Sequence, residues 1–179
     1  MKKRVVKNRK KFTTIIKIIV AVLLLFFIFK GVFVLIVLIG LSIAMSYVVN
    51  NFKLRNFGIE LVTFIGVLTA LIYGPWVSLI VSFILILYHL AAGGFFGPYW
   101  FWVIPAWAVA GFICGFFQGV DVVTVGIYAT IGISINNIIF TGIFSPTFLP
   151  KYMSFPITNI IFNIILFNIF GKLVYYLMA

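Results

Sequence analysis

Residues 14–50 read TIIKIIVAVLLLFFIFKGVFVLIVLIGLSIAMSYVVN, and this stretch decides the class of fold. It is apolar almost throughout, broken only by Lys17 and by Lys30-Gly31. As one straight helix it would reach about 55 Å at 1.5 Å per residue. The hydrocarbon core of a bilayer is only roughly 30 Å thick. Lys30-Gly31 therefore marks a break between a hydrophobic segment 14–29 and a span 32–49.

Outward from this stretch the charge is sorted rather than scattered. Eight of the 13 Lys and Arg residues precede position 18: Lys2, Lys3, Arg4, Lys7, Arg9, Lys10, Lys11 and Lys17. Of all 179 residues, 65% are hydrophobic and 8% charged, whereas soluble domains carry about a quarter of their residues as charge. Such a chain has no surface to offer water, so its solvent is lipid. The net charge of +11 then reads as a topology signal rather than a nucleic-acid footprint, because basic residues are retained on the cytoplasmic side. Residues 1–13 are expected to be a basic cytoplasmic tail, and 14–179 a single transmembrane domain in the plasma membrane. A secretory signal peptide fits poorly, since the apolar run exceeds h-region length and lacks a small-x-small cleavage site.

Punctuation along the chain divides the rest. A polar loop at 50–56 leads to a span 58–73, and Gly74-Pro75 turns into 76–91. The glycine-rich stretch 93–98 precedes a span 100–118, Gln118 to Asp121 makes a tight turn into 122–142, and Pro156 opens a final span 156–178 in the first-turn position that proline tolerates. The expected fold is all-α and integral to the membrane: six core transmembrane helices plus the extra N-terminal hydrophobic segment. If 14–29 crosses fully there are seven spans, and Lys53, Arg55 and Lys151 fall inside. Otherwise there are six, with both termini inside. Loop charge leans slightly to seven.

Gly111, Gly115 and Gly119 form a ladder at four-residue spacing, with Ala106 and Ala110 at the same spacing one residue out of step ahead of it, which lets another helix approach closely where lipid gives no hydrophobic drive. Residues 95–107 hold three of the four tryptophans beside Gly93, Gly94 and Gly97. They suit an interfacial aromatic belt or one wall of a solute pocket built from Phe96, Tyr99, Trp100 and Trp102, with His89 beneath. Asn159 and Asn163, four apart on the last span, would tie helices together or line the same pocket. The two acids, Glu60 and Asp121, each stand ahead of a helix, where a carboxylate caps the first turn. Cys114 is alone and reads as a small packing residue. With one histidine, no paired acids and no catalytic or phosphate-loop motif, neither an enzyme nor a metal or other cofactor site is expected.

At Tyr73-Gly74-Pro75-Trp76-Val77-Ser78-Leu79-Ile80-Val81-Ser82 the chain resembles the substrate-binding S components of energy-coupling factor (ECF) transporters. That family commonly shows a glycine-proline turn into the third helix, a glycine- and aromatic-rich loop, then a proline-led fourth helix with spaced glycines. Here the order is Gly74-Pro75, Gly93 to Trp102, Pro105, then Gly111, Gly115 and Gly119, and the Asn-rich last helix is also similar. The likeness spans about residues 32–178. It departs from the family where docking alanines are usual on the first helix, offering only Gly40-x-x-x-Ala44, and where Ser78 and Ser82 replace a glycine. The resemblance implies capture of a vitamin-like solute for import, with a transmembrane coupling subunit and ATPase subunits as partners. Scarce charge implies a neutral or weakly charged solute. The rival is a scaffold protein similar to the D-type subunit of the bacterial rod-shape complex, although the aspartate expected in its middle region is missing from 76–91.

Overall fold

A computed structural model describes residues 29–52, 54–94 and 97–179, together with Ile15 and Lys17; for Arg55 and Asn56 it describes the backbone. The basic tail, nearly all of segment 14–29, and Phe96 lie outside the described residues.

The principal helices are α1 (Lys30–Asn51), α2 (Val62–Tyr73), α3 (Pro75–Ala92), α4 (Trp100–Cys114), α5 (Val122–Phe144) and α6 (Ser154–Met178), and no strand occurs among the described residues. Helices α1, α3, α5 and α6 are long and apolar enough to cross a membrane, while α2 and α4 are apolar but shorter. The boundaries follow local chemistry. Pro75 opens α3, where its missing N–H has no partner to lose. Asp121 caps α5 by accepting from the Thr124 backbone N–H at 3.2 Å. A π-helical turn at Phe167–Gly171 interrupts α6 and sets the buried Phe167 ring 5.0 Å from that of Phe64.

The centre of the bundle is α2. Its residues Val62 to Leu71 are all buried, and it packs against every other principal helix. The other five form a ring around it, in the order α1, α3, α4, α5, α6 and back to α1. This central helix has 12 residues and α3 has 18, a difference of about 9 Å at 1.5 Å per residue. Gly74 alone joins them, so they are flush at that end. The shortfall therefore lies at the other end, near Glu60.

Small residues let three of these helices close up. A β-carbon on Gly66 of α2 would lie 2.5 Å from Ser82 Oγ, and one on Gly111 of α4 would lie 2.6 Å from Ser78 Oγ. One on Gly115 would lie 2.5 Å from Pro75 Cα. Ser78 also donates to the Gly66 carbonyl at 2.7 Å. The glycine face thus packs on this protein's own α3. Its third member departs from expectation: α4 ends at Cys114 rather than near 118, and Gly119 sits in the following turn at φ 90° with nothing within 4 Å of a β-carbon. Among the described residues Gly40 likewise has nothing within 4 Å, and Ala44 is exposed, so both stand on a face of α1 that no described residue covers. Cys114 is buried.

Candidate functional site: an acid-floored cavity

The site begins with the turn that precedes α2. Gly58 adopts φ 55°, and a β-carbon there would lie 2.5 Å from the Phe155 carbonyl oxygen. Only glycine fits both the left-handed backbone and the approach to α6. The turn delivers the Gly58 carbonyl to Asn159 Nδ2 at 2.7 Å and seats Glu60, 1% exposed, just ahead of α2.

All the side-chain and backbone groups that bond Glu60 are donors. The Thr63 N–H gives to Oε2 at 3.0 Å, the Thr63 hydroxyl to Oε1 at 2.6 Å, and Asn159 Nδ2 to Oε1 at 3.1 Å. Trp107 Nε1 donates to Thr63 Oγ1 at 3.0 Å, so the single hydroxyl hydrogen is directed at Glu60. The arrangement suits an acceptor-only group, and the helix N-terminus adds a favourable dipole.

Above this network lies a cavity of about 510 Å³, lined by Glu60, His89, Tyr99, Trp102, Trp107 and the 144–155 connection. Its deep members are Glu60, His89 and Trp107, all buried, while Lys151 is exposed at the mouth. Ser46 Oγ of α1 meets His89 Nδ1 at 2.9 Å, and Asn50 Nδ2 donates to the His89 carbonyl at 3.3 Å. With Nδ1 engaged, Nε2 is the ring nitrogen left for a ligand. The Trp102 indole stacks on Phe144 with centroids 5.7 Å apart, and its Nε1, on a residue 8% exposed, is buried and has no partner among the described residues. Tyr152 stacks on Phe155 at 5.7 Å, and burial pushes its phenol up, so it remains neutral at physiological pH.

The structure redistributes the residues expected in the site. His89, Tyr99 and Trp102 line the cavity together. Trp100 instead lines a separate shallow depression with Phe101 and Ile104. Asn159 supports Glu60 from behind, and Asn163 supports Asn159 by donating to its carbonyl at 3.1 Å; neither lines the cavity. Phe96 is outside the described residues. Sequence reasoning missed Trp107, Phe148, Lys151 and Tyr152, and treated Glu60 only as a cap. Glu60 does cap Thr63, but its rarity in so apolar a chain was the available signal. The other acid, Asp121, sits at the far end of the bundle in an exposed ion pair with Lys172 at 3.3 Å.

A larger groove of about 820 Å³ runs between α4 and α5. It offers few polar groups, chiefly Thr124, Tyr128 and Asn136, and its rim carries exposed Phe101 and Tyr128. Such a surface suits acyl chains. Among the described residues no three His, Cys, Asp or Glu side chains converge as a metal site. Comparison of the chain with protein-family models, curated proteins and solved structures gives no match.

Proposed function

We propose that this chain is a solute-binding membrane protein of the S-component kind, which captures a small vitamin-like molecule for uptake powered by a separate ATPase module. The observation that carries the proposal is the cavity above α2, with a buried acid at its floor and Tyr99, Trp102 and Trp107 in its wall. Its volume falls in the range of small-molecule sites, which combine apolar walls with a few convergent polar groups. The sequence has no phosphate-binding loop, so energy from ATP would come from another polypeptide. A scaffold of the rod-shape type has no evident use for such a cavity.

Import sets the topology proposed here. The start of α1 and the end of α6 meet at the end opposite the cavity, where Gly31 lies against the Met178 carbonyl. With a cytoplasmic tail and six core spans, the cavity opens outward, whereas a seventh crossing by 14–29 would turn it inward. The short helices α2 and α4 complete their crossings through the loops at the cavity end. Gly40 and Ala44, on the face of α1 that no described residue covers, would receive the coupling subunit, since small residues permit close helix approach.

Mass spectrometry of the detergent-solubilised protein for co-purifying small molecules and polypeptides tests the proposal. A bound small organic molecule together with an ATPase-containing complex supports it. An empty protein whose tryptophan fluorescence stays flat across candidate solutes, and which takes no ATPase partner, refutes it and leaves the scaffold as the better reading.

A further inference from the structure

We infer that the cavity selects a flat, ring-containing solute bearing one protonated amine or amidine group, which docks on Glu60. The inference rests on the solute-binding reading above and specifies its ligand.

Glu60 is buried, and among the described side chains its hydrogen bonds come only from the uncharged donors of Thr63 and Asn159, with His89 of the same cavity within electrostatic reach. Burying an uncompensated carboxylate is costly, and intramembrane acids are retained where they face a partner or a polar cavity. Here the acid lines a cavity. An amide offers one acceptor oxygen where Glu60 uses two, so a carboxylate is the group that serves the Thr63 N–H, the Thr63 hydroxyl and Asn159 together. The surroundings of Glu60 also suit a cationic ring compound. Trp102, Trp107 and Tyr99 line the same space, and indole and phenol faces attract a cation or stack on a planar ring.

Lys151, the one cation among the described lining residues, stands at the exposed mouth. A solute entering with its positive end toward Glu60 leaves its neutral or acceptor end beside Lys151. The opposite orientation places like charges together at the mouth and leaves Glu60 unpaired. The cavity is therefore polar in a directional sense, negative at the floor and positive at the rim.

The test uses full-length protein in nanodiscs and three probes sharing one ring: tryptamine, the uncharged tryptophol, and indole-3-propionate. Titration calorimetry should rank tryptamine tightest, about ten-fold or more over tryptophol, with indole-3-propionate weakest, as a charge-assisted contact implies. Glu60→Gln, whose one amide oxygen can still accept from the Thr63 hydroxyl and Asn159, should remove that preference. If Glu60→Gln does not fold, the ranking on the wild-type protein decides alone. Equal binding of all three probes, or retention of the preference in Glu60→Gln, overturns the cationic inference and leaves solute binding intact. Failure of all three probes to bind the wild-type protein overturns both.

Discussion

Asn159 and Glu60, 99 residues apart in the chain, are joined by a 3.1 Å hydrogen bond from the amide to the carboxylate. The same amide holds the Gly58 carbonyl. One side chain on the last helix thus fixes both the turn before the central helix and the acid at the floor of the cavity.

Replacing Asn159 by Ala should cost about 2 to 3 kcal/mol. Interhelical hydrogen bonds within membranes average about 0.6 and reach about 1.7 kcal/mol each, two are lost here, and a charged acceptor favours the upper end. Unfolding in mixed micelles measures the loss, and a change below about 0.5 kcal/mol would mean that water replaces the amide without penalty.

Gly115→Leu should destabilise the bundle by about 1 to 3 kcal/mol or more, because its side chain must displace the backbone of Pro75. Gly40→Leu is the control. It has open space around it and should leave thermal stability unchanged while weakening any complex with a coupling subunit.

The two neighbouring tryptophans should separate in function. Trp102→Ala removes a cavity wall and should weaken solute binding by about 1 to 3 kcal/mol. Trp100→Ala, whose ring belongs to a different depression, should leave affinity within two-fold. Equal losses from both variants would assign the effect to the loop as a whole.

The Asp121 carboxyl is slightly desolvated, which raises its pKa, but the Thr124 backbone N–H and then Lys172 bring it net below its ordinary value. A group with a depressed folded pKa contributes stability above its unfolded value, near about pH 3.9, and loses it as pH falls through the folded one. Because the pair is exposed, its contribution is about 0 to 1 kcal/mol and is screened by salt. Asp121→Asn should therefore flatten the melting temperature between pH 5 and 3 slightly, and leave it nearly unchanged at pH 7 in high salt.

Membrane residence and most helices were legible in the chain because lipid demands long apolar runs and because Gly-Pro and Asp punctuate helix starts in any context. The end of α4 was not. Gly115 and Gly119 share a four-residue spacing, but spacing alone cannot tell a helical glycine from one at φ 90° in a turn. Of the site, the aromatic cluster was visible from composition, and His89 from its rarity. Trp107 was hidden within the same run of rings, because its role depends on Thr63 reaching it from α2. Tyr152 and Lys151 looked like a plain connection, since nothing local says that a loop folds back over a helix end. Glu60 needed the structure to reveal that an ordinary cap opens on a cavity.

The clamp from α6 has a consequence for synthesis. Asn159 leaves the ribosome after every other described residue of the Glu60 network has been made. Until then the nascent bundle holds an acid and a glycine carbonyl that lack their final donor, and the connection 145–153 has yet to be anchored over the cavity. A chain stopped before residue 154 would carry most of the residues that line the cavity and lack the amide that holds Glu60 and the Gly58 turn. The floor of the cavity is therefore fixed only when the last helix has joined the bundle.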